Sequence, residues 1–310
     1  MSAREPALVS GASGYVGGRL VDRLPAEGVP VRAAGRRRRV LRQRWPGIQT
    51  VEMDVFRPET IGPAVEGVRV AYYLLHSMAE GEAGFEQRDR VAARNFAEAA
   101  RRGGVETIVY LGGLGVEGDR LSPHLASRHE TGRVLTEHGP AVLELRAGMV
   151  IGAGSASFRM LTDLVRRLPA MVTPRWVETR SQPIAIGDVL DYLGRARDLP
   201  PSPTIVEIGG ADVLSYREMM RRVAATRGRR PLILPVPVLT PRLSSLWCGL
   251  VTSVPVSIAR PLIDGLRNET IVRDDTAARL FPDVRPMGFD EAAAYAAREE
   301  TLAERLGADG

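Results

Sequence analysis

The chain has 310 residues, of which 44% are hydrophobic and 25% charged, a balance typical of a globular protein. No apolar run reaches the roughly 18 residues that span a membrane, so no transmembrane helix is expected. The first six residues lack the apolar core of a secretion signal. With one cysteine, Cys248, and four histidines, an internal disulfide and a structural zinc site are excluded. We therefore expect a cytoplasmic protein that holds no metal.

The net charge is +5, and all 42 basic residues are arginine. Because lysine is absent, a lysine Schiff base, a phosphate-loop lysine and a tyrosine–lysine catalytic pair are all excluded. Arginine is concentrated in residues 36–44, where six of nine positions carry it and no acid intervenes. Aromatic residues make up only 5% of the chain. This sparse aromatic content argues against direct nucleic-acid binding.

A glycine-rich turn follows the first apolar run, Ala7–Val9, and precedes an amphipathic stretch. Its glycines are Gly11, Gly14 and Gly17. The first would allow a tight turn, the second a close approach to a pyrophosphate, and the third close packing of helix on strand. A helix that begins here also presents unpaired N–H groups to phosphates. The pattern therefore predicts a dinucleotide site.

Short β-branched runs alternate with helical patterns through the first two-thirds of the chain, which predicts a parallel sheet covered by helices on both faces. The predicted strands are Ala7–Ser10, Val29–Ala34, Gln49–Met53, Val68–Leu75, Thr107–Leu111, Val142–Arg146 and Thr204–Ile208. The predicted helices are one after the glycine turn, then Pro58–Val65, Phe85–Arg102, Pro123–His138 and Asp188–Arg197. The fold class is thus α/β, with a doubly wound parallel sheet.

The character of the sequence changes after Gly210. A capping-box pattern, Ser215 to Glu218, opens a helix that we expect to run through Val223. Pro231–Pro261 is apolar but interrupted by proline too often to form a spanning helix. We interpret it as a wall of a substrate pocket or an oligomer contact, in preference to a membrane-surface patch. Residues 1–152 and 182–210 are predicted to form the nucleotide domain, and residues 153–181 and 211–310 a smaller substrate or partner domain.

Several motifs in order resemble the short-chain dehydrogenase/reductase superfamily. They are the glycine pattern, Asp54-Val55 after the third strand, Asn95 in the fourth helix, Arg146–Gly152, Gln182-Pro183-Ile184 and Asp188-Val189. The resemblance extends from residue 7 to about residue 220 and is strongest to the atypical, NmrA-like branch, which binds NAD(P)H. It implies a Rossmann-like fold.

The cofactor implied is NADP(H). A fold that prefers NAD places an acid after the second strand to bind the ribose 2′-hydroxyl. Here the strand that starts at Val29 ends without an acid and enters the arginine cluster, whose guanidinium groups fit a 2′-phosphate. Arg36 is the best candidate, while Arg38, Arg39 and later arginines are expected on a solvated helix face.

The other cofactor contacts come from the resemblance and from the helix start. Expected near the phosphates are Gly11, Ser13, Gly14, Tyr15, Val16 and Gly17. Expected beside the adenine are Asp54 and Val55. Expected along the remainder of the cofactor are Leu74, His76 and Arg128.

The catalytic residues of the superfamily are changed. Active members use a serine, together with a tyrosine that lies four residues before a lysine. Here the resemblance places His124 at the tyrosine position and Arg128 at the lysine position. The serine position falls in the glycine-rich residues 112–115. In one interpretation His124 is the proton donor, Arg128 holds the ribose, and His76 is a second catalytic candidate. In the other, His124 simply packs or faces solvent. His129 and His138 are expected at the surface.

Two functions follow. The first is an atypical NADPH-dependent oxidoreductase for a small, largely apolar carbonyl or enone. The second is a non-catalytic NADP(H) sensor of the NmrA-like kind, in which loops 79–84 and 112–118 would respond to the redox state and report to a protein partner. A homo-oligomer is compatible with either.

Overall fold

The computed structural model describes residues 5–76, 84–116, 121–168, 170–226, 228–236, 253–254 and 262–308. Cys248, most of Pro231–Pro261 and parts of the loops 79–84 and 112–118 lie outside the described residues. Within the described ranges, no helix combines the length and the apolar character needed to cross a bilayer.

A seven-stranded sheet forms the centre of the molecule, and all its neighbouring strands are parallel. Its strands are β1 (Ala7–Ser10), β2 (Val31–Gly35), β3 (Gln49–Glu52), β4 (Val70–Tyr73), β5 (Thr107–Gly113), β6 (Ala141–Ala147) and β11 (Thr204–Ile208). Their order is β3-β2-β1-β4-β5-β6-β11. The chain runs outward from β1 in one direction and then from β4 in the other, which leaves a crevice at the carboxyl ends of these two strands.

Helices cover both faces of this sheet. They are α1 (Tyr15–Ala26), α2 (Arg38–Arg44), α3 (Ile61–Val65), α4 (Phe85–Arg102), α5 (Pro123–His138) and α7 (Ile186–Ala196). Neighbouring residues of one strand point to opposite faces, and both faces are apolar because both are covered. Thus Val9 packs in the cluster of α1 and α7, whereas Leu8 packs in the cluster of α3, α4 and α5.

A third apolar cluster is built mainly by the later part of the chain. Its elements include β7 (Val150–Ile151), α6 (Ala156–Arg167), β8 (Ala170–Pro174), β10 (Ile184–Ala185), β12 (Leu214–Ser215), α8 (Tyr216–Ala225), β13 (Leu232–Val236) and α10 (Phe289–Ala308). Strand β9 (Arg180–Ser181) pairs antiparallel with β12. A short helix, α9 (Thr276–Leu280), packs instead on the main sheet through Ala277. The division into two domains stays a prediction.

The predicted fold class is confirmed, and so are several local patterns. Helix α4 ends at Arg102, followed by Gly103 and by Gly104 with φ 77°. The capping box is present, since the Ser215 hydroxyl accepts from the N–H of Glu218 and the Glu218 carboxylate accepts from the N–H of Ser215. Helix α8 then continues to Ala225, two residues beyond the predicted end.

A buried ion pair lies on β6 below the carboxyl edge of the sheet. Glu144 and Arg146 are 3% and 6% exposed, and the Arg146 Nε donates to Glu144 Oε1 at 2.8 Å. The two residues are two positions apart, so their side chains share one face of the strand. Glycines make room for the carboxylate: a Cβ on Gly112 would lie 2.5 Å from Glu144 Oε1, and one on Gly132 would overlap Oε2.

Replacing Glu144 should destabilise the protein strongly. Glu144→Ala leaves the Arg146 guanidinium buried without its carboxylate, which costs about 3–5 kcal/mol of unfolding free energy. Glu106→Ala is the matched control, because Glu106 pairs with Arg69 at the surface and its side chain is 52% exposed; its loss should cost at most about 1 kcal/mol. Urea unfolding of both variants measures the difference, and equal losses would contradict a stabilising role for the buried pair.

Candidate functional site

The glycine turn is built by close backbone contacts at the β1–β4 crevice. Gly11 has φ 71°, and a side chain there would overlap the carbonyl oxygen of Leu74, just after β4. A side chain on Gly17 would overlap the carbonyl oxygen of Gly11. The N–H of Gly14 donates to that same oxygen at 2.8 Å. The backbone therefore requires glycine at positions 11 and 17.

The start of α1 presents donors toward this crevice. Gly14 is its N-cap, no side chain of the described residues caps it, and no acid occupies its first turn. Ser13 and Gly14 are exposed, while Tyr15 and Val16 are half-buried. The first-turn N–H groups and the positive end of the helix dipole make this an anion site. The cradle therefore fits a dinucleotide pyrophosphate.

Ser10, which the sequence analysis missed, ties the two sides of the crevice together. Its buried hydroxyl donates to the carbonyl of Tyr72 at 2.7 Å and accepts from the N–H of Leu74 at 3.3 Å. These bonds fix the end of β4 beside Gly11. The only sequence signal was a polar residue at the end of an otherwise apolar strand.

The adenine side of the predicted site lies beyond β2 and β3. Arg36 follows β2 directly and is exposed at the carboxyl edge of the sheet, whereas Arg38 and Arg39 are exposed on α2. Asp54 follows β3, and its Oδ1 accepts from the N–H of Phe56 at 3.0 Å.

Val55 is buried beside Asp54, and its carbonyl accepts from Asn95 Nδ2 at 2.8 Å. This bond holds the loop after β3 against α4. The predicted adenine residues thus stand at the same edge of the sheet as the glycine turn.

A cavity of about 240 Å³ opens at the carboxyl ends of β5 and β6, next to the end of β4. Three of the predicted residues, His76, His124 and Arg128, line one wall. The rings of His76 and His124 stack with centroids 5.1 Å apart and planes 27° apart. Most of the remaining lining is apolar and includes Leu111, Leu114, Leu125, Met149, Met160, Leu262 and Leu266. The predicted catalytic candidates are thus brought together.

Arg128 is held from below by Tyr110, a fully buried residue of β5. The guanidinium lies over the Tyr110 ring, 5.1 Å from its centroid, and one of its N–H groups donates to the carbonyl of Leu111. The Tyr110 hydroxyl donates to the backbone carbonyl of Arg128 at 3.0 Å. The positive charge is therefore fixed at the cavity wall.

Both imidazoles are kept neutral. Burial, with repulsion from Arg128, lowers the pKa of His124 to about 3. The same causes lower the pKa of His76, although part of that residue stays exposed and water moderates the effect. His124 Nδ1 is buried and has no hydrogen-bond partner among the described residues. A neutral imidazole can donate one N–H bond but is a poor source of a whole proton.

The region predicted to replace the family's serine is confined by its neighbours. A Cβ on Gly113 would lie 2.8 Å from Leu125, so this strand end lies close against α5. His129 Nε2 is 3.0 Å from the Gly113 carbonyl oxygen. His129 and His138, which were expected at the surface, are both half-buried on α5.

A larger cavity of about 550 Å³ lies between α1, α6 and α10. Its charges largely pair with one another, as Arg19 does with Glu299 at 3.1 Å and Arg166 with Asp163 at 3.0 Å. It contains none of the predicted site residues. The smaller cavity therefore remains the better candidate for chemistry.

Comparison with known proteins agrees with this geometry. Residues 11–148 match the family described as NAD(P)H-binding. No curated protein matches the sequence.

Three solved structures superpose on nearly the whole chain. A triphenylmethane reductase from Citrobacter sp., complexed with NADP(H), is 17% identical with TM-score 0.73, over 94% of this chain and 99% of that one. An NADPH-dependent quinone oxidoreductase from Escherichia coli, complexed with NADPH, is 19% identical with TM-score 0.73, over 93% and 99%. A nucleoside-diphosphate-sugar epimerase from Staphylococcus aureus is 14% identical with TM-score 0.74, over 93% and 99%. At these identities the likeness concerns the fold.

Enlarging Gly17 should weaken nucleotide binding. In Gly17→Ala the new methyl group pushes the Gly11 carbonyl away and opens the cradle, so affinity for NADPH should fall at least about tenfold. Gly62→Ala is the control, because nothing lies within 4 Å of a Cβ at that position of α3. Nicotinamide fluorescence titration measures both, and equal affinities would show that the turn does not hold the cofactor.

Protonation of His124 should couple stability to pH. The pKa of His124 is about 3 in the folded chain against its usual 6.5, so the unfolded chain binds the proton more readily. The neutral His124 side chain therefore contributes fully to the free energy of unfolding above pH 6.5. That contribution is lost as the pH falls, by at most about 1.4 kcal/mol per pH unit. In His124→Gln the decline of unfolding free energy between pH 7 and pH 5 should become shallower. An unchanged slope in urea unfolding would contradict a buried neutral imidazole.

Proposed function

We propose that this protein is an NADPH-dependent oxidoreductase of the atypical short-chain dehydrogenase/reductase type, acting on a small, largely apolar carbonyl or enone. The match of residues 11–148 to the NAD(P)H-binding family supports the cofactor part of this proposal. The observation that carries the proposal is the apolar cavity in which His124 and Arg128 meet. His76, in the same wall, is two residues from Leu74, whose carbonyl abuts the glycine turn. One wall of the cavity therefore comes from the segment that follows the Leu74 contact with the glycine turn.

NADPH is favoured over NADH by the end of β2. Arg36 takes the place where an NAD-binding fold carries an acid, and a guanidinium can bind a 2′-phosphate through two N–H groups. The exposed Arg38 and Arg39 add positive charge nearby. A carboxylate at the same place would repel the phosphate.

The residues of the cavity suit the stabilisation of a developing oxyanion. When bound, the nicotinamide supplies a hydride to the acceptor carbon. Arg128 then places a fixed positive charge at the wall where His124 can donate one N–H bond to the acceptor oxygen. A preorganised donor of this kind contributes roughly 10²–10³ in rate. The proton that completes the reduction comes from solvent, because the charged form of His124 is disfavoured.

Neutral His124 also favours one class of acceptor. A simple ketone leaves a strongly basic alkoxide, which needs a full proton at once. An enone or a quinone instead leaves an enolate or a phenolate, which hydrogen bonds and a nearby positive charge can stabilise. Of the similar structures, the one named as an NADPH-dependent quinone oxidoreductase supports a quinone as the acceptor.

The second candidate is an NADP(H) sensor that does not turn over. The specific observation in its favour is that the serine, tyrosine and lysine of the family are absent, with glycine, histidine and arginine in their place. The loops that would respond, 79–84 and 112–118, lie partly outside the described residues. Consumption of NADPH distinguishes the two functions.

Titration with NADPH, NADP⁺, NADH and NAD⁺ tests the cofactor half of the proposal. Arg36→Ala removes a charge-assisted hydrogen bond to the 2′-phosphate. The variant should therefore bind NADPH about 10- to 100-fold more weakly, while its affinity for NADH stays unchanged. Arg42→Ala, another exposed arginine on α2, is the control and should keep the wild-type affinity. Equal loss for both nucleotides in Arg36→Ala would mean that Arg36 does not select the phosphate.

Turnover with quinones, enones and aldehydes tests the catalytic half. We expect NADPH oxidation with quinones and enones, and a large loss of kcat in His124→Ala. Undiminished turnover in that variant would remove His124 from the mechanism. Tight NADPH binding without oxidation by any acceptor would favour the sensor.

A further inference from the structure

Three hydroxyl groups cluster behind a wall of the cavity formed by the later part of the chain. Thr270 Oγ1 donates to Ser181 Oγ at 2.7 Å, and the Tyr216 hydroxyl bonds with both. Ser181, Thr270 and Tyr216 are 0%, 6% and 5% exposed. Burial raises the pKa of Tyr216 to about 12 despite these bonds, so the cluster stays neutral.

The backbone holds this cluster rigidly. Thr270 forms a parallel bridge with Ser181, the last residue of β9. The Thr270 N–H donates to the Arg180 carbonyl at 3.2 Å, and the Gln182 N–H donates to the Thr270 carbonyl at 2.7 Å. The Tyr216 side chain comes from the first residue of α8. The positions of the hydroxyls are therefore fixed before any ligand enters.

A glycine leaves the hydroxyls next to the cavity. Gly148, just after β6, lines the cavity together with Tyr216 and Thr270. A Cβ on Gly148 would lie 3.1 Å from Thr270 Oγ1 and 3.5 Å from Ser181 Oγ. A side chain there would cover both oxygens. In the sequence, this arrangement is marked only by Gly148 within the segment Arg146–Gly152.

The chemistry of this wall complements that of the His124 wall. Among the described lining residues Arg128 carries the formal charge, and it belongs to the β5–α5 side. A hydroxyl can rotate to donate or to accept, so Thr270 can exchange its bond to Ser181 for a bond to a ligand. The cluster therefore suits a neutral carbonyl or hydroxyl oxygen rather than an ion. Apolar side chains, including Met149, Met160 and Leu266, fill most of the remaining wall.

We infer that Thr270, which lines the cavity and is held in place by Ser181 and Tyr216, binds a second oxygen of the substrate through its hydroxyl, at the end away from the reacting carbonyl. The inference rests on the proposed function and narrows its substrate class. The preferred acceptor carries oxygen at both ends of a flat apolar frame, as a 1,4-dione does. Thr270 and its neighbours act in recognition, while His124 and Arg128 face the reacting end.

Binding of hydroquinone and phenol to the NADP⁺ complex tests the inference directly, since these probes differ by one oxygen. The wild type should bind hydroquinone more tightly than phenol. Thr270→Val keeps the side-chain shape and removes the hydroxyl. The affinity for hydroquinone should therefore fall about 3- to 10-fold, while the affinity for phenol stays unchanged. Thr136→Val is the control, because the exposed Thr136 hydroxyl bonds only within α5, to the Gly132 carbonyl at 3.0 Å. Calorimetric titration measures each affinity.

A second variant guards against a folding defect. Gly148→Ala places a methyl group 3.1 Å from the Thr270 hydroxyl oxygen and should reduce the same preference without removing that hydroxyl. The thermal midpoint of each variant shows whether it folds as the wild type does. No binding of hydroquinone by the wild type, no preference over phenol, or equal losses for both probes would each overturn the inference. If the wild type prefers hydroquinone over phenol but no acceptor oxidises NADPH, the proposed turnover is overturned and the inferred recognition site is retained.

Discussion

The close approach of backbone to backbone at the β1–β4 crevice is the constraint on which the site depends. Gly11 lies against the carbonyl of Leu74, and Gly17 lies against the carbonyl of Gly11. This stacking brings α1 down onto the sheet and directs its first-turn N–H groups at the crevice. It also sets where the chain leaves β4, and thus where His76 meets His124. One steric condition links the cofactor end of the site to its reactive end.

A fixed positive charge then governs the reactive end. Arg128 rests on the Tyr110 ring and is tied to Leu111, so it cannot move away from the imidazoles. Its repulsion, added to burial, keeps His124 uncharged. This wall offers an arginine and a neutral imidazole. In the proposed reduction these two groups stabilise negative charge, whereas the tyrosine–lysine pair of the resembled superfamily gives a proton.

The sequence predicted the sheet, the glycine turn and the helices Phe85–Arg102 and Pro123–His138, because each rests on local patterns with clear ends. Strand β2 starts two residues later than predicted, since Gly28 turns left-handed and Pro30 cannot donate to a ladder. The meeting of His76 with His124 followed from the family alignment. Ser10, Tyr110 and the Thr270 cluster could not be predicted, because their roles arise from contacts between distant segments that no local pattern records.

The two glycines around Glu144 also constrain which side chains this part of the site can hold. Gly112 lies in the region where the resemblance predicts the serine, and the Glu144 carboxylate fills the space that a side chain there would need. A serine placed there by one mutation would collide with a buried acid, and removing the acid first would strand Arg146. Position 112 and the Glu144–Arg146 pair therefore form one steric unit, and a side chain can enter at position 112 only if the buried pair is rebuilt with it.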